Sequence, residues 1–186
     1  MSSLAEAGPL AGAATVGCLR RFADDPAVEA WRPRPGKICL RARTQAQWEQ
    51  VLEEPHACAG EGVLAIPPRR RSERGPVLEK LQAMATDLEP APSSAVAPTG
   101  SVTYALNPEA PMSSGKTLAQ IGHAAVLAAD ALPAWADAGC PAVVVAPSLP
   151  DFAALSASSL CVGRVADAGL TEVAPGTVTV VAVRNP

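Results

Sequence analysis

Aromatic side chains make up only 3% of the 186 residues. A core must therefore be built from Ala, Val and Leu, and few flat platforms remain for stacking single-stranded bases. Histidine is scarcer still, with only His56 and His123, so a zinc site lacks ligands. Cys18, Cys39, Cys58, Cys140 and Cys161 are odd in number, widely spaced and never form C-x-x-C. They read as buried, reduced thiols rather than disulfides. Positive charge is not in excess: the net charge is −3, against the basic surface that phosphate backbones usually require. No apolar run reaches the ~18 residues that span a bilayer. The N-terminus lacks the charged start of a signal peptide, since Arg20 and Arg21 follow its mildly apolar stretch. These absences predict a soluble, cytoplasmic chain with no membrane partner, metal or cofactor.

What is present is apolar and small, 48% hydrophobic overall. The run from Glu89 to Gly100 is rich in Pro, Ala and Ser and predicts an extended linker between a first part, 1–88, and a second, 101–186. In the second part, Ser101–Leu106 predicts a strand and Gly115–Leu132 an Ala- and Leu-rich helix, which Pro133–Ala138 extends as a short turn. Ala142–Ala146 predicts a buried strand, Leu149–Ser158 a helix opened by Pro150, and Leu160–Ala166 and Thr177–Val183 two more strands. That order predicts an α/β fold, a four-stranded mixed sheet with helices on its faces in a three-layer α/β/α unit.

The first part repeats the pattern imperfectly. Gly12–Val16 resembles Gly122–Val126, and Ala27–Trp31 resembles Ala131–Trp135. Lys37–Ala42 falls where Val143–Val145 falls, and Gly62–Ile66 matches Cys161–Val165. The expectation is a diverged, incomplete copy of the same unit, lacking its opening strand.

Two constellations carry chemistry. Lys116, Gln120 and His123 are spaced four and three apart on the predicted helix and share one face. Such a row also marks an ordinary solvated face. However, Lys116 lies in the first turn, where a cation opposes the helix dipole. With the free N–H groups of the helix start, it suits an anion. Ser114-Gly115-Lys116-Thr117 ends like a phosphate-binding P-loop, but Glu109-Ala110 stands where its first glycine belongs, which excludes a nucleotide-hydrolysing loop. The second constellation is Asp167-Ala168-Gly169-Leu170-Thr171, a turn after a strand that can face a cleft. Thr179 follows in the last strand.

Met112-Ser113-Ser114-Gly115-Lys116, then Ala119-Gln120 and His123-Ala124, resembles the opening motif of type 2 peptidyl-tRNA hydrolases. Asp167 to Thr177 (DAGLTEVAPGT) is similar to that family's second motif. The resemblance covers 101–185. It implies a metal-independent esterase that frees the peptide from the terminal ribose of peptidyl-tRNA. By the same resemblance, Lys116, Asp167 and Thr171 are the catalytic candidates, and Gln120, His123, Thr179 and Gly115 the substrate-binding ones. Lys116 would stabilise an oxyanion or hold a phosphate, and Asp167 would orient or deprotonate water. Gln120 and the threonine hydroxyls would position water and ester. His123 is read as structural rather than catalytic. The family's dimerisation implies either a homodimer or a pseudo-dimer in which the first part replaces the second subunit.

The first part looks chemically empty: Glu6, Leu10 and Ala13 fall opposite Lys116, Gln120 and His123. Its one basic cluster, Arg69, Arg70, Arg71 and Arg74, is a candidate phosphate contact or a solvated loop. The acidic balance keeps two alternatives to tRNA open. One is a small-molecule acyl substrate on the same fold, and the other a non-catalytic binding protein.

Overall fold

The structure, a computed structural model, describes residues 1–170 and 172–186. The first part holds α1 (Leu4–Arg21), α2 (Pro26–Trp31), β1 (Leu40–Arg41), α3 (Gln45–Leu52), β2 (Ala57–Cys58), β3 (Leu64–Ala65), α4 (Gly75–Glu79) and β4 (Gln82–Ala83). A 3-10 turn at Arg71–Glu73 precedes α4. The second part holds β5 (Val102–Leu106), α5 (Ser114–Ala131), α6 (Pro133–Asp137), β6 (Ala142–Val145), α7 (Leu149–Ala157), β7 (Cys161–Ala166) and β8 (Val178–Arg184).

The second part forms one four-stranded mixed sheet in the order β6-β5-β8-β7. β5 runs parallel to β6, so the chain must cross over between them, and α5 and α6 make that crossing. β8 lies antiparallel to both β5 and β7. The strand period of two sends alternate side chains into two clusters. Val102, Tyr104, Val180 and Ala182 pack with Ile121, Ala124, Ala125 and Ala128 of α5. Ala105, Val145, Val181 and Val183 pack with Phe152 of α7. The strand and helix bounds expected from the sequence hold to within a residue at either end of most elements.

α1 lies along α5 and reaches β6. The approach is close because glycines meet at the contact. A Cβ on Gly12 would stand 2.9 Å from the Tyr104 hydroxyl and 3.1 Å from the Ala125 Cβ, and one on Gly122 would stand 2.8 Å from Thr15 Oγ1. Val16 of α1 joins the α5-side core.

The element order of the first part runs parallel to that of the second, but its strands form two separate two-stranded sheets instead of a four-stranded one. The expected strand at 37–42 shrinks to Leu40–Arg41 and pairs antiparallel with β4. The one at 62–66 shrinks to Leu64–Ala65 and pairs antiparallel with β2. Pro33 and Pro35 before β1, and Pro67 and Pro68 after β3, remove the N–H groups that longer ladders need.

The run 89–100 also departs from a free tether. Ser3 bridges Glu89, and the Leu4 N–H donates to the Glu89 carbonyl at 2.9 Å. Ala91 is buried in the α5-side core, and the Ala146 N–H donates to the Pro92 carbonyl at 2.7 Å. Cys18 and Cys140 are buried as expected, but Cys58 is exposed because its strand is a two-residue edge. Among the described residues no helix is long and apolar enough to cross a membrane.

Candidate active site

Asp167 leaves the end of β7 with its main chain tied down. Its N–H donates to the Thr177 carbonyl at 2.9 Å, and its own carbonyl accepts from Gly176 at 2.8 Å. The side chain therefore projects from a fixed base. Its Oδ1 accepts the Gly169 N–H at 2.8 Å. Gly169 is required there: φ is +74°, and a Cβ would collide with the Pro175 ring.

Helix α5 brings its polar row to this carboxylate. Lys116 Nζ pairs with Asp167 Oδ2 at 2.8 Å, and Gln120 Nε2 donates to the same oxygen. Gln120 is fully buried and Asp167 is 6% exposed, so these contacts are made largely out of water. Burial alone would raise the Asp167 pKa. The hydrogen bonds from Lys116, Gly169 and Gln120, with the Lys116 charge, outweigh it and hold the carboxyl below its ordinary value.

His123 lies one turn further along α5. Its ring meets Trp31 edge-to-face, with centroids 5.5 Å apart. Nε2 is buried and has no hydrogen-bond partner among the described residues. Burial and the Lys37 charge push its pKa down to about 4, against the pull of Asp167. The ring is neutral at physiological pH, which fits a packing residue. Thr179 is buried, and its hydroxyl is donated to the Val165 carbonyl at 3.2 Å, across the β7–β8 pair. Thr171, the third catalytic candidate, lies outside the described residues.

The start of α5 differs from an open anion site. Ser113 donates its N–H and hydroxyl to the Glu172 carboxylate at 2.6 and 2.8 Å. The Leu88 N–H donates to Ser114 Oγ at 2.8 Å. The Met84 carbonyl lies against Gly115. The protein thus supplies its own anion at this helix end and covers the first turn with main chain.

The first part is not chemically empty. Lys37 Nζ donates to Gln120 Oε1 at 2.8 Å, which places a second ammonium one amide away from Asp167. Nothing in its sequence setting, Arg34-Pro35-Gly36-Lys37, signals this, because the partner is 83 residues away.

A cavity of about 1010 Å³ runs between the first part and α5. Its walls include Lys37, Arg69 and Arg74 of the first part and Ala119 and His123 of α5. Arg69 is spent on an ion pair with Glu54 at 3.0 Å. The Arg70 N–H donates to Glu73 at 3.1 Å, and Arg71 opens the 3-10 turn. The cluster is thus partly engaged within the fold. Among the described residues no group of three or more His, Cys, Asp or Glu is placed to hold a metal ion.

No curated protein matches the chain. Residues 102–186, which carry Lys116, Gln120 and Asp167, match the family model of Peptidyl-tRNA hydrolase PTH2.

Proposed function

We propose that the chain hydrolyses the ester of peptidyl-tRNA without a metal, at the site formed by Asp167, Lys116 and Gln120. The observation that supports this most is the Asp167 carboxylate, buried and held by a lysine ammonium, a glutamine amide and a main-chain N–H. A carboxylate with a lowered pKa is a weak proton acceptor at neutral pH. Its work is therefore to orient: it aligns the attacking water and fixes Lys116, and the proton the water loses ends on the ribose oxygen that leaves as the acyl C–O bond breaks. The ammonium then faces the carbonyl oxygen of the ester, where negative charge develops as water adds. Thr171 completes the catalytic set in this reading, and Gly115 and Thr179 shape the pocket. We read the sheet as the middle of three layers, supported by cores on both of its faces. The first part is read as a diverged copy, supported by the shared order of elements.

A smaller acyl ester is the second reading. It is favoured by the main chain of Met84 and Leu88 over the start of α5, and by a net charge of −3. Hydrolysis of an N-blocked aminoacyl-tRNA and of short N-acyl amino-acid esters by the same preparation separates the two. On the preferred substrate, Lys116→Ala and Asp167→Asn should each lose about 100-fold or more in kcat, the scale of removing an oxyanion-stabilising group. Full activity in both variants would place the chemistry elsewhere.

A further inference from the structure

We propose that Lys37 is a positioning residue of the hydrolase site, contributed by the first part of the chain. Its ammonium fixes the Gln120 amide so that Nε2 is turned onto Asp167. The inference rests on the hydrolase reading above and adds a residue that lies outside the 102–186 match.

The argument starts from donor and acceptor inventory. A lysine ammonium can only donate, and an ionised carboxylate can only accept. Gln120 lies between one of each: Lys37 Nζ stands 2.8 Å from one end of its amide, and Asp167 Oδ2 takes the other. Both neighbours impose the same orientation, Oε1 toward Lys37 and Nε2 toward Asp167. Gln120 is fully buried, so water is not at hand to replace either partner. Removing Lys37 would leave a buried acceptor unsatisfied and leave Asp167 as the one remaining anchor of the amide.

Lys37 is held in place on both sides. Before it, Trp31 Nε1 donates to the Gly36 carbonyl at 2.6 Å. After it, the Met84 N–H donates to the Cys39 carbonyl at 2.9 Å, and the Met84 carbonyl rests on Gly115 of α5. The segment is thereby docked on the helix that carries Lys116 and Gln120.

Charge gives this arrangement a second consequence. The groups facing Lys37 are Asp167, Lys116 and the neutral His123, while Glu172 is engaged at Ser113. Lys116 pairs with Asp167 directly and Lys37 stands one amide behind it, so two ammoniums lie near one carboxylate and leave a surplus positive charge in a water-poor site. An oxyanion forming on the substrate would balance it. Burial, with the repulsion of Lys116, lowers the Lys37 pKa to about 8 although Asp167 opposes this. The surplus charge is therefore lost as pH rises through about 8.

The test measures kcat and KM of the full chain from pH 6 to 10 on the ester it cleaves best, for wild type, Lys37→Met and Lys37→Arg. Side-chain amide NMR of Gln120 accompanies it. Lys37→Met should lower kcat about tenfold or more with KM within about twofold, and Lys37→Arg, which keeps charge and donors, should recover most of it. Wild-type activity should fall on the alkaline side near pH 8. That fall should vanish in Lys37→Met and move beyond the range in Lys37→Arg. The Gln120 amide protons should exchange slowly in wild type and quickly in Lys37→Met. Unchanged kcat and unchanged exchange would overturn the proposal. So would a rise in kcat, which would make Lys37 a plug in the site, or a wild-type rate that climbs through pH 8, which would make it a base. An inactive wild type would sink the hydrolase reading, while the exchange measurement still decides whether Lys37 holds the amide.

Discussion

The Met84 carbonyl lies so close over Gly115 that a Cβ on that glycine would stand 2.5 Å from the oxygen. This contact joins the first part of the chain to the first turn of the helix that carries Lys116. It makes the sign of a simple substitution informative. Alanine is the better helix former by about 1 kcal/mol, so Gly115→Ala in an uncovered helix would stabilise. Beneath Met84 it must instead push the main chain away, at about 1–3 kcal/mol for overpacking. We expect a lower urea midpoint with an unchanged m-value, read by circular dichroism. Gly36→Ala is the control, since nothing lies within 4 Å of a Cβ there. A midpoint for Gly115→Ala at or above wild type would refute the docking of the 82–88 segment on α5.

Tyr104 and Gly12 provide an independent test of how α1 sits. The Tyr104 hydroxyl is buried without a hydrogen-bond partner among the described residues, and a Cβ on Gly12 would stand 2.9 Å from it. Tyr104→Phe removes an unsatisfied buried polar group and should raise stability by about 1 kcal/mol. Gly12→Ala alone should lower it. Combined, the two should be non-additive, because losing the oxygen opens the space the new methyl needs. Strict additivity in denaturant melts would mean that α1 does not lie against Tyr104.

The fold of the second part is legible in the sequence because its signals are local. Apolar runs such as Ala142–Val145 and Val178–Val183, with proline and glycine between elements, mark strands whose core-facing residues follow from the period of two. The site is legible in part for the same reason: the four-and-three spacing of Lys116, Gln120 and His123 is a helical signal. What joins them to Asp167, 47 residues on from Gln120, is the sheet order, which puts the end of β7 beside α5. Lys37 is illegible. Its setting of prolines and arginines reads as a loop, and only docking of the first part brings it to Gln120. The same docking hides the start of α5 and fastens residues 89–92, where composition alone reads an open anion site and a free tether.

His123 sets an acid limit on stability. Its folded-state pKa is pushed down to about 4 from an ordinary 6.5. Between those values the unfolded chain binds a proton that the folded chain does not. Stability should therefore fall as pH drops from about 6.5 to about 4 and level off below. A shift of that size corresponds to at most about 3 kcal/mol. Urea midpoints across pH 4–7 should slope steeply in wild type and less in His123→Gln. An equal slope in both would show that the imidazole is not held neutral against Trp31.

Lys116 governs a second acid response, through Asp167. Here the folded-state pKa lies below the ordinary value of 3.8. The stabilising contribution of the ion pair is thus fully present above that value and is lost as pH falls through the lower, folded one. Two opposing effects set the shift: burial favours the neutral acid, and the Lys116 ammonium with the Gly169 and Gln120 donors favours the carboxylate. Lys116→Met deletes the ammonium, its charge and its hydrogen bond, and leaves burial in place. The Asp167 carboxyl should then titrate at higher pH, and acid unfolding should begin at higher pH than in wild type. Carboxyl 13C NMR reads the titration directly. An Asp167 resonance that titrates at the same pH in Lys116→Met and wild type would show that the ammonium does not hold this carboxylate ionised, and the role assigned to Lys116 in catalysis would fall with it.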